Sequence, residues 1–353
     1  MTVRDWANRG QTYVNARAPN LLGRFRSTDD ENENNPTTEL ATDTTSAYGS
    51  TAASVVTMAN SKPDDVSLYA TSSHHHEYFT GSAWIHPVYT KEQMDALEVN
   101  HRKTETFSDR VALRAILLMR IIFDLCTGYK HPKEGEAHLP KFRMTTRQWL
   151  DRFLFLESIA GVPGMVAGMI RHLHSLRALR RDRAWIESLV EEAYNERMHL
   201  LTFLKLQKPS VQMRTGLLIG QIIFYNLFFI SYLISPATCH RFVGYLEEEA
   251  VITYTRCLED IDAGRLPELA SMEVPDIART YWHMEDDCTM RDLIQYVRAD
   301  EAKHCEVNHT FGNLHQTSDR NPFALVIDNG RPQPSKDLTT FRSVGWRRDE
   351  IAN

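Results

Sequence analysis

Four stretches of this chain place carboxylates and imidazoles where metal chemistry could follow. In Glu196-Arg-Met-His199 and Glu301-Ala-Lys-His304 an acid and a histidine stand three residues apart. On a helix that spacing puts both on one face, within reach of one ion. Two further acids sit alone among apolar neighbours: Glu157 between Leu156 and Ile159, and Glu247 at the start of the Leu-Glu-Glu-Glu-Ala run. A glutamate inside an apolar helical stripe is costly unless it is paired or bound to metal. One Glu from each of two helices plus one E-x-x-H from each of two others is the ligand set of ferritin-like di-iron and di-manganese bundles. Oxygen and nitrogen donors without thiolate suit iron or manganese.

Spacing alone does not select among the candidates. Glu98/His101 and Glu306/His309 carry the same E-x-x-H pattern. The first lies in a polar stretch ahead of the helices and reads as a surface coincidence. Glu306 follows Glu301 by five residues, about 140° around a helix, so those two pairs cannot face one site. Glu301/His304 is preferred only modestly on this ground. Taken singly, Glu157 could pair with Arg152, and Glu247 to Glu249 could form a solvated acidic turn.

The elements that must carry these residues are helical. Apolar residues recur at three- and four-residue steps, as Val111, Ala115, Leu118 and Ile122 do, and no long alternating run argues for a strand. The expected fold is all-α, with six long helices: about Ser108 to Cys126, Thr145 or Thr146 to His172 with a bend at Pro163, Asp182 to Leu206, Val211 to Ile234, Pro236 to Ile261, and Thr289 to Leu314. The four that carry the acids form the ferritin-like bundle. Phe153 to Ile170 and Leu217 to Ser235 are each just long and apolar enough to raise membrane crossing. A crossing at Leu217 to Ser235 would put the acid-bearing helices before and after it on opposite sides, so these segments are expected to lie in one leaflet or in an interface.

The remaining composition narrows the class. A net charge of -6 and a pI near 6.2 supply no basic stripe for a phosphate backbone, so nucleic acid is excluded as a partner. Five cysteines, Cys126, Cys239, Cys257, Cys288 and Cys305, show no paired spacing and read as buried or partly buried thiols. Residues 1–27 hold Arg4, Arg9, Arg17, Arg24 and Arg26 against the single acid Asp5, as a mitochondrial presequence would. Polar sequence follows to Ser73 and is too poor in large apolar residues to order itself; His74 to His76 read as incidental. The chain therefore divides into a presequence and disordered segment at 1–73, a bundle domain with an N-terminal arm at 74–315, and a C-terminal tail at 316–353.

Leu156 to Val166 (LESIAGVPGMV), Asn195 to Leu200 (NERMHL), Leu246 to Thr255 (LEEEAVITYT) and Arg298 to Leu314 (RADEAKHCEVNHTFGNL) together resemble the alternative oxidase family, in the family's order. The likeness runs from Trp84 to about Leu314, and the insertion Gly128 to Arg143 is of the fungal type. The resemblance implies two irons per chain, ligated by Glu157, Glu196, His199, Glu247, Glu301 and His304. It implies a cyanide-resistant, non-proton-pumping ubiquinol oxidase of the respiratory chain that reduces oxygen to water, with Tyr254 taking part in the redox step. It further implies a quinol pocket at Arg120, Asp124, Arg152, Leu156, Glu249 and Thr253, and residues Asn195 and Asp300 that hold the histidines. A homodimer is implied too, monotopic on the matrix leaflet of the mitochondrial inner membrane, its first and fourth helices facing lipid. The rivals are another di-iron carboxylate oxygenase or desaturase, a ferritin-like iron binder, and a metal-free helical interaction protein.

Overall fold

A computed structural model describes residues 84–351, apart from 99, 133–135, 137, 138, 328 and 329. The expected presequence and the run His74 to His76 lie outside the described residues. Among the described residues the regular structure is entirely helical: α1 (Lys91–Asp95), α2 (Phe107–Thr127), α3 (Thr146–Ala178), α4 (Trp185–Leu206), α5 (Val211–Ile234), α6 (Pro236–Asp262), α7 (Pro267–Ser271), α8 (Asp276–Trp282), α9 (Met290–Asn313) and α10 (Arg348–Ile351), with one 3₁₀ turn at Pro140–Phe142.

Local chemistry sets the boundaries. Thr106, Thr145 and Thr289 cap α2, α3 and α9 in reciprocal bonds with Asp109, Gln148 and Asp292 three residues on. Ser210 caps α5 through the amide of Met213, and Pro236 in the first turn of α6 separates it from α5. Two boundaries differ from expectation. Helix α3 runs on through Pro163 to Ala178, because the rest of its hydrogen-bond ladder and a buried face on either side of the proline sustain it. Helix α4 starts at Trp185 rather than Asp182: Arg183 and Ala184 take left-handed backbone, and the Asp182 carboxylate accepts the Ile186 amide.

The bundle consists of α3 packed on α4 and α6 packed on α9. Small residues permit the close approaches. A Cβ at Gly164 would stand 2.5 Å from the carbonyl oxygen of Leu189, and one at Gly244 would stand 2.4 Å from the His309 ring. Only glycine lets those helices meet at this distance. The core between them is aromatic, with Phe153 stacked on Tyr254 at 4.7 Å and Trp149, Phe203 and Trp282 fully buried.

Outside the bundle lie α2, packed on α6, and α5, packed across α3 and α6. The two helices long and apolar enough to cross a membrane have different fates. The α3 stretch is 67% buried inside the protein and serves as core, whereas α5 is only 11% buried. Its Leu218, Ile222, Leu227 and Ile230 face outward, as do Leu118, Ile121, Ile122 and Leu125 of α2. Past α9 the chain folds back over the bundle. Trp346 and Ile351 are buried, Asn321 donates to the Ala184 carbonyl, and Arg348 pairs with Asp319. Cys126, expected to be at least partly buried, is exposed at the end of α2, where its face of the helix turns away from the bundle; Cys239, Cys257 and Cys305 are buried.

Candidate metal centre

Glu157 from α3, Glu196 and His199 from α4, Glu247 from α6, and Glu301 and His304 from α9 converge in the middle of the bundle. Their donor atoms form two overlapping sets, each drawn together within 4.8 Å: Glu157, Glu196, His199 and Glu301 in one, and Glu196, Glu247, Glu301 and His304 in the other. Glu196 and Glu301 belong to both. Each set could hold one ion: Glu157 and His199 are particular to the first, Glu247 and His304 to the second.

The polar atoms here fit ions better than one another. His199 Nδ1 bonds Glu157 at 3.2 Å and also lies 3.2 Å from Glu301 and 3.6 Å from Glu196, so three carboxylates crowd one nitrogen. His304 Nδ1 stands 2.7 Å from Glu196 Oε1 without the alignment of a hydrogen bond. Both oxygens of Glu196, both of Glu301, and one of Glu247 are buried with no hydrogen-bond partner. Orphaned buried carboxylate oxygens are costly, and divalent or trivalent ions would satisfy them.

The electrostatics carry the same imprint. Burial pushes the Glu157 and Glu247 carboxyls well above the usual range, and the neighbouring Glu301 and Glu196 push them further. Burial also raises Glu196, but the imidazoles of His199 and His304 beside it outweigh this and hold that carboxyl low. Burial alone would lower both histidines; Asp300 and the glutamates reverse this for His199, and Glu196 with Glu301 for His304. Four acids this close repel strongly until cations neutralise them.

Around this centre Asp300 gathers four donors. Its Oδ2 accepts from His199 Nε2 at 3.1 Å, Asn195 Nδ2 at 3.0 Å and Trp282 Nε1 at 2.8 Å, and its Oδ1 from His86 Nε2 at 2.8 Å. Asp300 therefore orients His199 directly. Asn195 makes no hydrogen bond to either histidine among the described residues and ties Asp300 to the Tyr281 hydroxyl. His86 went unrecognised in the sequence because it lies in the irregular arm, where no periodicity marks it; Tyr281 and Trp282 arrive on the short α8.

Tyr254 is fully buried and donates its hydroxyl hydrogen bond to Glu157 Oε1. Burial, then the charge of Glu157, raises its phenol well above the ordinary value. On the α2 side, Arg120 pairs with Glu249 at 2.7 Å and Arg152 with Asp124 at 2.9 Å. Arg152 thus pairs with Asp124 and not with Glu157. Thr253 bonds the Glu249 carbonyl, and Leu156, 7% exposed, lines the same region one residue before Glu157. His131 completes the cluster, donating to Asp124 at 2.6 Å and accepting from Arg256 at 3.0 Å. Its position in the loop after α2 gave the sequence no signal.

The other E-x-x-H pairs face elsewhere. Glu306 accepts from Lys303, Trp346 and the Arg342 amide. His309 bonds Glu248 at 2.8 Å on the far side of α9. His101 binds the second oxygen of Glu248, so it anchors the arm to α6 and is no surface coincidence.

The family model described as Alternative oxidase matches residues 89–313. The chain is 99% identical over 353 residues, all of both chains, to a protein of Yarrowia lipolytica named Alternative oxidase, mitochondrial. Proteins of the same name from Emericella nidulans and Aspergillus niger are 58% and 56% identical over 272 residues, which is 76% of this chain and 77% and 78% of theirs. With the helical bundle and its paired acid and histidine sets already in place, these matches mean that the chain belongs to the alternative oxidase family.

Proposed function

We propose that the chain is a mitochondrial di-iron ubiquinol oxidase: two quinols and one oxygen yield two quinones and two waters, without proton pumping and in the presence of cyanide. The observation that carries this reading is the pair of overlapping donor sets sharing Glu196 and Glu301. Glu157 with His199, and Glu247 with His304, would complete the two iron positions. Bound iron would supply reversible one-electron steps between quinol and oxygen.

The chain's own residues do the rest. Arg120, Asp124, Arg152, Glu249 and Thr253, with Leu156 beside them, would supply the fixed polar groups that receive a quinol head; the Arg120–Glu249 and Arg152–Asp124 pairs support this reading. Arg152 is held rigid there by the faces of Phe123 at 3.9 Å and Tyr129 at 4.5 Å. The cluster adjoins the centre through two neighbouring residue pairs, Leu156 with Glu157 and Thr253 with Tyr254. Tyr254 keeps its proton at the phenol oxygen until Glu157 or a reacting group accepts it, and Phe153 and Phe203 exclude water from its ring. Asp300 holds the His199 ring so that Nδ1 points inward.

A second strand of the proposal is monotopic attachment to the matrix leaflet of the inner membrane through the exposed faces of α2 and α5. Glu196 on α4 and Glu247 on α6 share a donor set, and α5 joins those two helices. A spanning α5 would separate them by a bilayer. The homodimer expected from the resemblance belongs to the same reading; Leu173 and Leu176 of α3, and Leu179 just past its end, are exposed and available to a second copy.

The test is oxygen uptake by purified protein with quinol as sole reductant and cyanide present. Uptake supports the reading. Dependence on an added reductase, with a desaturated or hydroxylated product, would replace it with the oxygenase alternative.

A further inference from the structure

The six acids and histidines of the centre are not equally enclosed. Glu157, Glu196, Glu247 and Glu301 are each 1% exposed and His199 0%, but His304 is 7% exposed. The opening lies above His304, in a cavity of about 80 Å³ bounded by the arm at Trp84 to Pro87, by α4 and by α9. That volume accommodates a few water molecules. Its wall carries Glu192, whose two carboxylate oxygens accept only from the Asn308 amide, each at 2.9 Å, and which meets no arginine or lysine among its bonded partners. The two lysines lining the cavity are engaged elsewhere: Lys303 with Glu306 at 2.6 Å and Lys336 with Glu191 at 2.9 Å. The Lys336–Glu191 pair ties the C-terminal segment to α4 across the mouth, with both side chains partly in solvent.

We propose that this cavity is the port through which a hydrated ferrous ion reaches the centre, with Glu192 as the intermediate carboxylate and the Lys336–Glu191 pair as the latch over the mouth. The inference rests on the di-iron reading above. The other approach to the centre, past α2, offers an apolar outer face and a cluster whose carboxylates are already engaged, Glu249 by Arg120 and Asp124 by Arg152, leaving no free acid among the described residues there to receive a cation. The port has a largely apolar wall that carries Glu191, Glu192 and Asp300, reaches water, and ends at His304, the most exposed of the six side chains of the centre. An incoming ion sheds water to Glu192 and passes to His304 on the same cavity wall, so a carboxylate meets it before it is fully stripped, which matters because a bare divalent ion is very costly to desolvate.

The experiment is ferrous loading of full-length apo protein, followed as bound iron against time, and extraction of iron from the loaded protein by a ferrous chelator. Glu192→Gln removes the intermediate charge and should slow loading about tenfold while the final iron content is unchanged. Lys336→Ala opens the latch and should speed extraction several-fold, about 2–5 times, as an exposed pair of this kind holds the gate only weakly. Lys336 is exposed, so this variant stays informative even if Glu192→Gln folds poorly. Wild-type rates in both variants, with normal final iron, overturn the port alone. A wild-type chain that binds no iron overturns the di-iron reading and the port together.

Discussion

Replacing Asp300 by asparagine should give a folded protein that holds iron much more loosely. The carboxylate accepts three bonds at Oδ2, from His199, Asn195 and Trp282, and one at Oδ1, from His86. An asparagine with its oxygen in the Oδ2 position keeps the first three. Its amide then faces His86, whose ring accepts in the other tautomer. Shape and connectivity survive, but the negative charge is lost, and burial alone would never have kept that charge without His86 and His199 beside it. A bond to a charged partner is worth about 1 kcal/mol more than a neutral one, so three retained bonds lose about 3 kcal/mol of stability. The larger consequence concerns His199. Without an anion at Nε2 its inward Nδ1 is a poorer donor, and losses of this kind cost about 10–100-fold in metal affinity. Asp300→Ala, which leaves four buried donors without an acceptor, should cost more stability than asparagine does. The assay combines thermal unfolding of the apo protein with competition against a ferrous chelator. A lower unfolding temperature with unchanged iron affinity would refute the argument, because it would make Asp300 an anchor for the arm and α8 and nothing more.

Tyr254→Phe should keep its iron and lose about 1 kcal/mol of stability with the bond to Glu157, while quinol oxidation falls about a hundredfold or more; iron analysis and oxygen uptake on one preparation check both. Arg120→Ala frees Glu249 and should raise the KM for quinol about tenfold, with iron content unaltered. Trp346→Ala, which removes a buried ring and its bond to Glu306, should destabilise the protein by about 3–5 kcal/mol, read in denaturant unfolding. The apo protein should become less stable as pH rises from about 4.5 to 7, because burial pushes the Glu192 carboxyl up to about 7 and folding therefore retains its proton. The stability present below the unfolded carboxyl value is lost on approaching the folded one, a change of about 3 kcal/mol. Glu192→Gln should remove its share of that slope and leave what Glu157 and Glu247 contribute, and an unaltered slope would dissociate it from Glu192.

What the sequence made legible was whatever repeats along a helix. Threonine caps, the proline after α5 and the apolar stripes place the long helices to within a few residues, except at the far end of α3, which runs past His172 to Ala178, and where the turn before Trp185 depends on two left-handed residues. The acids and histidines were legible because buried charge inside an apolar stripe is conspicuous. The choice between Glu301/His304 and Glu306/His309 was not, since five residues of offset says only that the pairs diverge. The resemblance chose Glu301/His304, and the partners of Glu306 from outside its helix, Trp346 and the Arg342 amide, are what engage the other pair away from the centre. His86, His101 and His131 were beyond reach for one reason: each sits in irregular backbone, and its partner, Asp300, Glu248 or Asp124, lies 214, 147 or 7 residues away.

The central claim is that four helices hold two ions between shared carboxylates, and the iron content of the purified chain tests it most directly. The account predicts about two irons per chain, near-total loss of both in Glu196→Ala because Glu196 belongs to both donor sets, and no loss in Glu306→Gln. A wild-type chain without iron, or a Glu196→Ala chain that still holds both ions, would contradict it.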